Sequence, residues 1–107
     1  MKTSLSKEKI LQILRNELPY LQAKYGVEKI ALYGSFAKGD QTSKSDIDIL
    51  VQLAKPLGLE FIALVYHLEK VFGRKVDLTT FETLRRSVEK PRHKHIVADI
   101  ERTLCHV

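Results

Sequence analysis

Gly34-Ser35-Phe36-Ala37-Lys38-Gly39-Asp40, followed after a polar stretch by Ser45-Asp46-Ile47-Asp48-Ile49-Leu50-Val51, decides how the rest of this sequence is read. The second segment alternates polar and apolar side chains and then becomes wholly apolar. That is the pattern of a strand leaving an exposed site and entering a core, with Ile47, Ile49 and Val51 on the buried face. The same two-residue period sets Asp46 and Asp48 on one side, roughly 7 Å apart at the backbone, so their carboxylates can converge on shared ions. Gly34 closes a short apolar run over 29–33 that reads as a buried strand. Gly34-Ser35 opens one helical turn over 35–38, where free backbone N–H groups and a hydroxyl can receive phosphate oxygens. Gly34 to Gly39 has Walker-like spacing, but Asp40-Gln41 stands where a P-loop needs Lys and then Ser or Thr, so a P-loop is excluded.

Upstream, Leu5, Ile10, Ile13, Leu14, Leu18 and Leu21 mark one stripe of a helix, with Ser4 as its cap and Gly26 as its end. Pro19 is expected to kink that helix or restart it. Downstream, the polar residues of 39–45 form a surface loop, and Pro56 and Gly58 mark a connection. A helix over 59–72 turns Ile62, Val65, Leu68, Glu69 and Phe72 inward and closes at Gly73. The strand over 75–79 keeps Val76 and Leu78 on one face and aims Asp77 away from the core. A helix over 81–89, a break at Pro91 and a last amphipathic helix through Ile96, Val97, Ile100, Leu104 and Val107 complete the chain.

This order predicts an α/β (α+β) fold, a small mixed sheet covered on one face by helices, with the opposite face left for chemistry. If the strand of Asp77 neighbours that of Asp46 and Asp48, the acids repel by about 3 kcal/mol per pair at ~6 Å and an effective dielectric near 20. Bound cations relieve that repulsion. Oxygen-only ligation suits Mg²⁺ or Mn²⁺ over zinc, and two ions roughly 4 Å apart can activate a hydroxyl and stabilise departing pyrophosphate.

With 107 residues, 44% of them hydrophobic and 29% charged, the chain is read as a single domain over 1–107 without room for a second core. A lone cysteine, Cys105, rules out an internal disulfide and fits a reducing cytoplasm. No signal-peptide core or membrane-length apolar run is present, so a soluble protein with no membrane partner is expected. A net charge of +5 suits an anionic partner such as a nucleotide but is modest for a dedicated nucleic-acid binder, so direct nucleic-acid binding is not expected. Arg85, Arg86, Lys90, Arg92 and Lys94, with His93 and His95 among them, read as a solvated basic face. Cys105, in the last helix, and Tyr33 read as core packing.

Gly34-Ser35, ten residues, then Asp46-Ile47-Asp48 resembles the G-S-x(10)-D-x-D signature of the polymerase-β-like nucleotidyltransferases. The fuller run is similar to the minimal nucleotidyltransferase, or MNT, domains, with Lys38 where Arg is commoner, and Gly73-Arg74-Lys75-Val76-Asp77-Leu78 resembles their third-carboxylate strand. The resemblance implies a polymerase-β palm-like fold. It implies that Asp46 and Asp48 bind both metals, that Asp77 binds one and helps deprotonate the acceptor, and that Gly34 and Ser35 hold the triphosphate. Lys38, Lys44 and Ser45 are further candidates for nucleotide contact. It also implies ATP as donor and a HEPN-type toxin as partner, whose tyrosine receives AMP. The alternatives are an antitoxin that acts by binding alone and a transferase for a small molecule such as an antibiotic.

Overall fold

The computed structural model describes residues 5–39, 41–42, 44–88 and 104–107. Helix α1, Lys7–Tyr25, starts at Ser6, whose Oγ accepts from the Lys9 amide at 3.3 Å, so Ser6 and not Ser4 is the cap. Leu5 and Ile10, one residue before the cap and four after it, join the same apolar cluster and fix the angle at which the chain enters the helix. The helix runs through Pro19 without the expected restart, held by buried Leu14 on one side of the proline and buried Leu21 and Tyr25 on the other. That burial offsets the ~3 kcal/mol an interior proline costs. Gly26, left-handed at φ 70°, ends it as expected.

Strand β1, Val27–Tyr33, leads into the one-turn helix α2, Ser35–Lys38, and then across the loop to β2, Ile47–Leu53. Asp46 therefore lies one residue outside the strand assigned to it. Helix α3, Glu60–Phe72, ends at left-handed Gly73 and returns the chain to β3, Val76–Thr80. The Thr80 hydroxyl accepts from the Thr83 amide at 3.0 Å and caps α4, Phe81–Val88. Cys105–His106 form a short strand, β4, so the last amphipathic helix does not reach Val107; its earlier members lie outside the described residues. Backbone pairing with Leu32 decided this, a long-range contact that helical spacing cannot reveal.

The sheet order is β3-β2-β1-β4, antiparallel except for the parallel pair β2 and β3, whose crossover is α3. Ile30 and Leu32 of β1, Ile47, Ile49 and Val51 of β2, and Val76 of β3 pack with Ile10, Leu14 and Leu21 of α1 and Leu64 and Leu68 of α3. Helix α3 thus presents Leu64, Leu68 and Phe72 to the core, whereas Ile62 is 50% exposed and Glu69 half-buried. Leu68 and Phe72 are buried as expected, and Leu64 takes the place given to Ile62 because it is the residue that meets the sheet.

The other face is not bare. Ala31 and Leu50 on it are fully buried, α4 contacts β2 and β3, and the Phe81 ring stacks on His106 of β4 at 6.2 Å. His106 lies opposite Ala31 in the ladder and so shares its face, which brings the start of α4 across that side. At the end of this face where β1 stops and β2 and β3 begin, the described side chains become polar: Tyr33, Asp48 and Asp77.

Candidate active site

At that end the ladder aligns Tyr33 of β1 with Asp48 of β2 and Asp48 with Asp77 of β3. All three side chains project to the face away from the main core, because residues opposite one another in a sheet share a side. The parallel pairing supplies the adjacency of Asp48 and Asp77 that the sequence required. Asp46 and Asp77 are exposed and Asp48 is half-buried. Burial raises the pKa of Asp48 first, then the charge of Asp77, then that of Asp46, together to about 6.

Tyr33 is a correction. It stands on this face, half-buried, opposite Asp48 in the ladder. Burial raises the phenol pKa, with Asp48 and Asp77 adding to the shift and Thr79 opposing it. The strand alternation that places Asp48 outward also places Tyr33 outward once the antiparallel register is known.

Gly34 follows at φ 76°, ψ −151°, a region essentially restricted to glycine. A Cβ there would run into Asp48 Oδ2 and lie 3.0 Å from its Cγ. Glycine is therefore demanded twice, by the backbone and by the carboxylate against it. Ser35 begins α2 half-buried at the mouth of this turn, whose first-turn N–H groups precede any intrahelical acceptor. Lys38 is exposed at the far end of α2.

Lys44 and Ser45 belong to a tight turn before Asp46. The Ser45 hydroxyl accepts from the Thr42 amide at 2.8 Å, and the Lys44 amide donates to the Thr42 hydroxyl at 3.2 Å. Ser45 thus braces its own loop, while the Lys44 side chain is exposed. Two residues escaped the sequence reading of the site. Glu69 accepts from the Val76 amide at 3.1 Å and anchors the start of β3, and Arg74 donates to the Ser45 carbonyl at 2.8 Å. Arg85 and Arg86 are exposed on α4, with Arg86 paired to Glu82 at 2.9 Å; Lys90, Arg92, His93, Lys94 and His95 lie outside the described residues.

Among the described residues no group of three His, Cys, Asp or Glu is placed to hold a metal ion by itself. Mg²⁺ does not ask for one, since it takes one or two carboxylates and completes its shell with water and substrate phosphate. The all-oxygen donors Asp46, Asp48 and Asp77, crowded enough to raise the pKa of the middle one, fit such an ion.

Comparison with known proteins follows the same line: the nucleotidyltransferase domain family matches residues 8–104. The chain belongs to this family. A Methanocaldococcus jannaschii relative, provisionally named a protein adenylyltransferase, is 41% identical to this nucleotidyltransferase over 101 residues, covering 92% of this chain and 94% of its own. The protein adenylyltransferase MntA of Thermococcus cleftensis is 34% identical over 94 residues, covering 87% and 95%. A crystal structure of a toxin-antitoxin with AMP-PNP aligns at TM-score 0.52 and 33% identity, over 76% of this chain and 59% of that one. A structure provisionally described as a minimal nucleotidyltransferase shares the fold at TM-score 0.66, with 24% identity over 99% and 98% of the two chains. Among the described residues no helix is long and apolar enough to cross a membrane.

Proposed function

We propose that this nucleotidyltransferase transfers AMP from ATP to a tyrosine hydroxyl of a partner protein and thereby serves as the antitoxin of a HEPN-type toxin. The observation that carries the reading is the row of Tyr33, Asp48 and Asp77, closed at one end by a glycine whose backbone and approach to Asp48 leave no room for a side chain. The named activity of the relatives and the toxin-antitoxin complex with an ATP analogue support the choice of donor and partner.

The acceptor oxygen attacks the α-phosphorus of ATP. A new P–O bond forms, the bond to the bridging oxygen of the β-phosphate breaks, and its electron pair leaves with pyrophosphate. Asp77, the exposed member of the row, takes the acceptor proton, and the Gly34-Ser35 turn holds the triphosphate close to the backbone. Asp46, Asp48 and Asp77 would hold Mg²⁺, or Mn²⁺, which when bound offsets phosphate charge and lowers the pKa of the acceptor. Without such an ion the carboxylates would repel the like-charged triphosphate.

The test incubates the protein with ATP labelled at the α-phosphate, Mg²⁺ and the protein encoded beside it. Label is expected on a tyrosine of that partner, and Asp48→Asn and Asp77→Asn should remove it while the partner still co-purifies. Tight co-purification without label from wild type would replace this reading with neutralisation by binding alone. Label on an aminoglycoside and none on protein would replace it with small-molecule transfer.

A further inference from the structure

Arg74 sits on the connection between α3 and β3, three residues before Asp77, and its side chain reaches back to the other parts of the signature. Its Nη1 donates to the Ser45 carbonyl at 2.8 Å and lies 3.4 Å from the Thr42 carbonyl. The guanidinium carbon stands 5.4 Å from the centroid of Phe36, a buried ring two residues beyond Gly34. One planar group therefore joins the phosphate turn, the loop that delivers Asp46 and Asp48, and the strand that carries Asp77.

The Ser45 carbonyl belongs to the same peptide unit as the Asp46 amide. Fixing that plane fixes the direction in which Asp46 leaves the chain, and Asp46 needs such help because it lies just outside β2. The loop is already folded on itself, with the Ser45 amide donating to the Thr42 carbonyl at 3.1 Å and the hydroxyls of Thr42 and Ser45 bonded to nearby amides. Arg74 clamps that preformed turn to the rest of the molecule. A lysine cannot do the same, because an ammonium lacks the flat fork that donates to carbonyls while stacking on an aromatic face.

We propose that Arg74 is a positioning residue of the transfer reaction, holding the Ser45–Asp46 peptide so that the three carboxylates form one cation site. The proposal rests on the nucleotidyltransferase reading and deepens it. It makes a prediction whose sign separates geometry from charge. Removing a nearby positive charge by itself makes a cation bind more tightly. Losing the positioning makes it bind more weakly.

The experiment titrates Mn²⁺ into the full chain without ATP, following the free-ion signal by electron paramagnetic resonance, for wild type, Arg74→Met, Arg74→Lys and Asp48→Asn. Arg74→Met and Arg74→Lys are each expected to raise the Mn²⁺ dissociation constant about fivefold or more. Hydrogen exchange at the Ser45 and Asp46 amides should quicken in both, and the transfer rate of Arg74→Lys should recover at raised Mn²⁺. Should Arg74→Met fail to fold, Arg74→Lys, which keeps charge and stem, carries the test. Unchanged or tighter Mn²⁺ binding in the folded variants, beside a wild type that binds and an Asp48→Asn that does not, overturns the role of Arg74 alone. A wild type that binds no Mn²⁺ overturns both this inference and the metal-centre reading beneath it.

Discussion

Replacing Gly34 by alanine is the sharpest test of the site geometry, because the cost divides into two parts that act on different observables. The backbone at φ 76°, ψ −151° strains any side chain by about 1–3 kcal/mol. The new methyl would also overlap Asp48 Oδ2, with Cγ at 3.0 Å and Cβ at 3.2 Å, so turning the carboxylate tip alone does not clear it and Asp48 must swing from its place in the row. Gly39→Ala separates the parts: φ there is 81°, yet nothing among the described residues lies within 4 Å of the added carbon. Both variants should lose stability in urea melts, Gly34→Ala by about 1–3 kcal/mol, equivalent to a drop of roughly 4 °C or more in melting temperature per kcal/mol. Only Gly34→Ala should lose AMP transfer, by about 100-fold or more, as expected when the central carboxylate is displaced by an ångström. Equal activity in the two variants would refute the close approach of Gly34 and Asp48.

Asp48→Asn should stabilise the metal-free protein at pH 8 and leave it nearly unchanged near pH 4. The folded pKa of Asp48, about 6, lies above its ordinary 3.8, so its favourable contribution is complete below 3.8 and lost as pH rises through about 6. Urea midpoints in EDTA at the two pH values check this, and a lower midpoint for Asp48→Asn at pH 8 would contradict the crowding. Leu68→Ala should cost about 2–5 kcal/mol, whereas Ile62→Ala should stay within about 0.5 kcal/mol; comparable losses would mean that the phase of α3 is wrong. Glu69→Ala should cost about 1–3 kcal/mol by stripping the Val76 amide of its acceptor, and should lower transfer through the start of β3. Transfer and stability both at the wild-type level would remove Glu69 from that role.

The shared face of Asp48 and Asp77 was legible because period-two alternation turns each from the core before any tertiary contact is known, whereas Asp46 lies just outside β2, where alternation does not reach. Gly26 and Gly73 were legible as helix ends for a similarly local reason, the left-handed backbone each adopts. What stayed hidden depends on partners distant in sequence. In α3, spacing found Leu68 and Phe72 but offered Ile62 where the sheet takes Leu64, and Cys105 becomes a strand residue only by pairing with Leu32. Tyr33 looked like core because it is aromatic and follows an apolar run, but the antiparallel register with β2 carries it to the Asp48 side. Arg74 gave no signal of its own, since its value lies in carbonyls 29 and 32 positions away.

The side-by-side pairing of β2 and β3 in the same direction means that this centre is written in chain length as well as in residue identity. One residue added between Gly73 and Val76 would leave every acid in the sequence untouched, yet wherever β3 takes it up by slipping one step, Asp77 gives its place in the reactive row to a hydrophobe. Divergence in this lineage should therefore be tightly policed for insertions and deletions at that turn. A homologue that keeps all its aspartates but has gained or lost a residue there is a candidate for a dead enzyme that survives on binding.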